Sequence, residues 1–268
     1  MKHINSLVYY AVAAVILFAT AYSCSSDGSS DFSNSEGGQG GSMARFTIVG
    51  DYLYTVDHQT LHTLRLADPA KPQHLDLRDL SVGFDIETIF PYDGKLFIGS
   101  RAAMYIYDIA SPEFPKLLSQ VQHFSSCDPV VAAGNYAYVT LNSDNITCWR
   151  GKNELQVYDI SDPKSPQLVS PPIAMKSPRG LGVDEAAKIL FVCDQGVKAF
   201  DLSIPSEPEI FWDLTDVPQV KGMRGYDCIP MNGVLMVVGE DGLYQFDYTG
   251  ENIEFLSKID IRRGNHYE

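Results

Sequence analysis

One unit recurs along this chain, and it restricts the fold more than any other feature. The segment YDISDPKSPQLVS at 158–170 returns as YDIASPEFPKLLS at 107–119, LRLADPAKPQHLD at 64–76 and FDLSIPSEPEIFW at 200–212, with a degenerate copy, FDYTGENIEFLSK, at 246–258. Each copy follows an apolar run: YLYTV from Tyr52, KLFIG from Lys95, YAYVT from Tyr136, ILFVC from Ile189 and VLMVV from Val234. The second residues of these runs, Leu53, Leu96, Ala137, Leu190 and Leu235, are 43, 41, 53 and 45 residues apart. A period of this size marks an array of equal supersecondary units that bury their apolar faces against one another.

A further short run, such as RFTIVG from Arg45 or DPVVAAG from Asp128, precedes each apolar strand, so the unit holds four strands. Four strands in about 40–45 residues is the arithmetic of a propeller blade. The predicted fold is therefore all-β, a five-bladed β-propeller of four-stranded antiparallel blades at 44–80, 84–122, 127–174, 178–215 and 226–261. Composition agrees, with 11% aromatics, 15 Pro and 21 Gly, which suit short strands joined by tight turns. In the Asp-x-x-x-Pro-x-x-Pro turn, Asp108 or Asp159 can accept backbone N–H groups while the prolines fix φ and end ladder pairing. These residues are read as structural.

The strand followed by Asp-x-Ser-x-Pro-x-x-Pro, best seen in YDISDPKSPQLVS, resembles the LVIVD repeat family of bacterial and archaeal surface proteins. The resemblance extends over residues 44–261 and implies a propeller. It implies no uniform enzymatic activity.

Ahead of the repeats, Lys2 and His3 precede an apolar run from Leu7 to Ala21 that ends in small residues before Cys24, the layout of an export signal. Ala21-Tyr22-Ser23-Cys24 resembles a bacterial lipobox, in a relaxed form similar to that of Bacteroidetes lipoproteins, which implies lipidation of Cys24. The expected organisation is a signal peptide at 1–23, a lipidated Cys and flexible Ser/Gly/Asp tether at 24–43, and one propeller at 44–268. The chain is thus expected at the cell envelope, bound to the outer membrane through its lipid. A formal net charge of −14 disfavours nucleic acid as a partner, because such a surface repels polyphosphates.

The longest spacing locates an insertion, 142–153, between the second and third strands of the third blade. It carries Cys148, and Cys127 opens the same blade; in an oxidising compartment the two are expected to form a bridge. Cys193 and Cys228 fall within apolar strands and are expected as buried free thiols. Trp149 and Arg150 at the tip of the insertion form a candidate contact pair, since both residue types are favoured interface anchors.

Propeller ligands usually meet the loops that enter the innermost strands. Aligned on the repeat, those entrances read Asp85-Ile86-Glu87, Cys127-Asp128-Pro129, Pro178-Arg179-Gly180 and Tyr226-Asp227-Cys228. Glu87, Asp128, Arg179 and Asp227 are the candidate channel-mouth residues, and their charges suit a hard cation such as Ca²⁺ or a polar ligand bearing both signs. The sequence holds no phosphate loop, nucleophile elbow or zinc-binding His pair. The leading functional expectation is a non-catalytic binding or scaffolding module for a protein or small polar ligand. The alternative is a metal-assisted hydrolase, lactonase or lyase that uses the channel acids.

Overall fold

The computed structural model describes residues 41–68, 70–75, 79–122, 129–143, 152–169, 171–214 and 217–261. Five antiparallel sheets follow one another along the chain, each built from consecutive strands. The first contains β1 (Phe46–Val49), β2 (Tyr52–Val56), β3 (Thr60–Arg65), β4 (Gln73–His74) and β5 (Leu80–Ser81). The second contains β6 (Ile86–Tyr92), β7 (Lys95–Ser100), β8 (Ala103–Asp108) and β9 (Lys116–Gln122). The third contains β10 (Val130–Ala133), β11 (Tyr136–Leu141), β12 (Glu154–Asp159), β13 (Gln167–Leu168) and β14 (Ile173–Ala174). The fourth runs through β15 (Pro178–Asp184), β16 (Ile189–Asp194), β17 (Val197–Asp201) and β18 (Glu209–Asp213). The fifth runs through β19 (Gly225–Met231), β20 (Val234–Gly239), β21 (Gly242–Asp247) and β22 (Glu254–Asp260). The expected all-β, five-bladed propeller is what the chain forms. The outermost strand of blades one and three is split in two, since β4 and β5 both pair with β3, and β13 and β14 both pair with β12.

Local sequence accounts for the hairpins. Asp93-Gly94 and Asn232-Gly233 connect the first two strands of blades two and five, and all four residues have positive φ. That is the requirement of a type I′ turn, whose twist matches the flanking strands. The base of the insertion is fastened by Asn153, whose Oδ1 accepts the N–H of Ser143 at 2.7 Å and its hydroxyl at 3.0 Å. Trp149, Arg150 and Cys148 on the insertion lie outside the described residues, as do Cys24, Cys127 and Asp128.

The repeat sets the packing between blades. In each second strand, alternate residues face opposite neighbours. Tyr54, Phe97, Tyr138 and Phe191 face the following blade, while Leu96, Ala137, Leu190 and Leu235 face the preceding one, and all eight are fully buried. Four apolar cores result, one at each junction between consecutive blades. Among the described residues no such core lies between blade five and blade one. There Phe46 is 61% exposed and Ile259 59%, and Leu53 and Met236, the counterparts of fully buried positions elsewhere, are only partly covered.

The repeated turn also joins blades. Asp108, Asp159, Asp201 and Asp247 each accept the N–H of the residue two positions on, at 2.8–2.9 Å. The carbonyl of the first proline accepts a hydrogen bond from the blade before it: Tyr54 donates to Pro112 at 2.8 Å, Ser119 to Pro163 at 2.7 Å and Tyr138 to Pro205 at 3.1 Å.

Candidate functional site at the channel entrance

The first strands of consecutive blades lie beside one another, so β6, β10, β15 and β19 line the centre of the domain. Three of them open with the same irregularity. In β6 the register skips between Ile86 and Thr88, in β15 between Pro178 and Leu181, and in β19 between Gly225 and Asp227. Each is a β-bulge, which inserts one unpaired residue and re-aims its side chain. The partners across each ladder align Glu87, Arg179 and Tyr226 at one level, Thr88, Gly180 and Asp227 at the next, and Ile89, Leu181 and Cys228 below them.

This register differs from the one read off the repeat, which set Glu87, Arg179 and Asp227 at equivalent entrances. The structure puts Glu87 and Arg179 on one level and Asp227 one residue further along. A shift of one residue turns a strand side chain to the opposite face. At the upper level Arg179 lies over the ring of Tyr226, 4.9 Å from its centroid, a cation–π arrangement. The backbone there is held from blade three, since Thr140 Oγ1 donates to the Arg179 carbonyl at 2.6 Å and Asn142 Nδ2 to the Pro178 carbonyl at 2.5 Å. Beside it, buried Asp194 accepts the N–H groups of Lys176 and Ser177 at 3.0 and 2.6 Å and pairs with Lys198 at 3.2 Å. Asp85, at positive φ, pairs with Arg101 at 2.9 Å.

Asp227 meets a segment that the sequence assigned to the tether. Ser42 is fully buried; its hydroxyl donates to Asp227 Oδ1 at 3.1 Å and accepts the N–H of Leu181 at 2.7 Å. The Met43 N–H donates to Asp227 Oδ2 at 3.2 Å, and the Ala44 carbonyl accepts the N–H of Ile89 at 2.9 Å. The third N–H at that level, from Cys228, goes to the Asp227 carboxylate at 3.0 Å. Residues 41–44 therefore lie along the open edges of the inner strands and, with Asp227, satisfy three equivalent donors that no ladder partner can reach. Burial lifts the Asp227 carboxyl from its ordinary 3.8 to about 6, against the downward pull of these donors.

Two glycines make this fit. A Cβ on Gly41 would fall 1.9 Å from Asp227 Oδ2, and one on Gly180 would fall 2.7 Å from the Asp227 Cα. The expected boundary between tether and propeller at 43/44 is thus displaced: Gly41, Ser42 and Met43 belong to the channel. Their composition carries no apolar pattern, and a buried Ser directly after Gly40 and Gly41 reads as linker until its partners are seen. The only sequence hint is that Gly41 and Gly180 are small where backbones converge. At the far end of the channel, Tyr92 donates to Glu185 at 3.1 Å and accepts the N–H of Gly134 at 2.5 Å, tying blades two, three and four. Between the two ends, a small apolar recess is lined by Phe90, Val131, Leu181, Val183, Ile229 and Pro230. Among the described residues no three His, Cys, Asp or Glu side chains converge at metal-binding spacing.

Five consecutive sheets with their first strands around a shared centre define the protein as a β-propeller. Within it, the LVIVD repeat matches residues 126–171, which span the third blade from β10 to β13. Solved structures agree on the fold. A protein from Lactobacillus plantarum is 14% identical with a TM-score of 0.63, covering 80% of this chain and 69% of its own length. Apo AztD from Citrobacter koseri is 14% identical with a TM-score of 0.57, and the match covers 79% of this chain but 60% of AztD. A functionally unknown protein from Desulfotomaculum acetoxidans is 11% identical with a TM-score of 0.60, covering 81% of this chain and 69% of the other. No curated protein sequence matches this one.

Proposed function

We propose that this protein is a non-catalytic binding or scaffolding module, held in the bacterial envelope by a lipid on Cys24, which meets its partner at the channel entrance. The observation that supports this most is the docking of residues 41–44 in the channel. A chain that leaves the domain along its centre applies any pull from a lipid anchor to hydrogen bonds on blades two, four and five. From Gly41 back to Cys24 it can reach about 60 Å at most, enough to hold a propeller clear of a bilayer. The upper level then presents Glu87, Arg179 and Tyr226 as a polar surface of mixed charge for a protein or small polar ligand. Trp149 and Arg150 on the insertion provide a second contact. A metal-assisted hydrolase, lactonase or lyase would need the channel acids as ligands or bases, and Asp227 already accepts donors of its own chain on both oxygens.

The test has two arms. Cys24→Ser should move the protein from the membrane fraction to the soluble fraction; a variant that still requires detergent for release contradicts the anchor. Chemical crosslinking in intact membranes should capture a partner with the wild type and lose it with the Glu87→Gln/Arg179→Gln variant. Capture that survives in this variant, or a Ca²⁺-dependent rise in melting temperature that Asp227→Asn abolishes, would favour the alternatives.

A further inference from the structure

The junction between the fourth and fifth blades contains a pair of thiols that the proposed function does not use. Cys193, near the end of β16, and Cys228, within β19, face each other across it, 0% and 1% exposed. Both belong to one apolar core with Phe191, Val197, Leu235 and Val237. The Cys228 thiol donates to the Phe191 carbonyl at 3.6 Å, two residues before Cys193 on the same strand. Cys193 is the neighbouring side chain that, after burial, pushes the Cys228 thiol further up. Gly225 permits the approach, since a Cβ there would stand 2.9 Å from Cys193 Sγ. Neither sulfur is in a disulfide.

We propose that Cys193 and Cys228 are a redox pair whose oxidation joins the fourth and fifth blades by a disulfide. The inference rests on this geometry alone and is independent of the lipid anchor. The oxidant is a low-molecular-weight disulfide such as oxidised glutathione. One Cys, as thiolate, attacks it and expels a glutathione thiolate, leaving a mixed disulfide on the protein. The second Cys gives its proton to water and attacks the first protein sulfur, expelling the other glutathione thiolate. Two protein thiols and one glutathione disulfide become one protein disulfide and two glutathione thiols, with two electrons passing to glutathione. Burial pushes the Cys228 thiol well up and keeps it protonated in the docked blades, where it is a poor nucleophile. The exchange therefore belongs to folding, before blade five seats on blade four, and the seated blades then shield the product from reductant.

The experiment is peptide mapping of the full chain. Wild-type protein is unfolded, reduced, refolded in a glutathione redox buffer, then alkylated in denaturant and cleaved with trypsin. The expected result is peptides 189–198 and 225–258 linked, two hydrogens lighter than their sum and separated by reduction. Cys228→Ser should leave Cys193 fully alkylated. Folded, reduced protein given the same buffer should link at least tenfold more slowly than the refolding chain. If both peptides of the refolded wild type are fully alkylated, or if either Cys is joined instead to Cys24, Cys127 or Cys148, the proposal is overturned.

Discussion

Asp227 shows how one carboxyl can bind a linker to a folded core. Its two oxygens take donors from Ser42 and Met43, yet its burial outweighs them and its folded pKa is about 6 against 3.8. A carboxyl raised on folding holds its proton more tightly in the folded state. Its contribution to stability is fully present below about pH 4 and is lost as pH rises through 6, an effect of roughly 1–3 kcal/mol. Asp227→Asn does not titrate, so its melting temperature should improve relative to wild type between pH 4 and pH 7. Parallel curves for the two proteins over that range would show that the carboxyl is not held as described. Ser42, by contrast, was illegible in the sequence, because what makes a buried hydroxyl useful there is the unpaired N–H of Leu181, more than a hundred residues away.

The repeated turn shows what the sequence does disclose about elements. Asp108 and Asp159 were expected to accept backbone N–H groups at a strand exit, and both do. The hydrogen bonds of Ser161, Ser203 and Thr249 hold Asp159, Asp201 and Asp247 below the usual carboxylate range. A lowered folded pKa gives stability that is present above about pH 4 and is lost as pH falls through the folded value. Asp201→Ala should melt below wild type at pH 7, and the gap should close as pH is taken from 4 toward 2, measured by circular dichroism. A gap that stays constant would mean the aspartate acts without its charge. The inter-blade role of the proline carbonyls was not legible, because it depends on Tyr54, Ser119 and Tyr138 reaching from the previous blade. The level of Asp227 is legible by counting back from the second strand: Glu87 lies nine residues before Leu96 and Tyr226 nine before Leu235, and the bulges of β6, β15 and β19 shift all three strands alike.

At the scale of the molecule, blade number and order follow directly from the spacing of Leu53, Leu96, Ala137, Leu190 and Leu235, because one repeated apolar strand fixes every junction. Blades one and five escape such reading, since the repeat pairs each blade only with its neighbours in sequence. Their outward faces leave Phe46, Ile48, Val238 and Ile259 more than 40% exposed. Local opening starts where few apolar contacts are buried. In hydrogen exchange, the amides of β2 and β20 should therefore lose protection before those of β7, β11 and β16; equal protection in all five strands would show that the fifth junction is as tight as the other four. Among the described residues, finally, each sheet is drawn from one stretch of chain, and no strand from either end of the array completes the opposite blade. A gene for such an array can lengthen or shorten by tandem duplication or deletion of a single unit, without any rethreading of the remaining blades, so relatives with other blade numbers are one recombination event away.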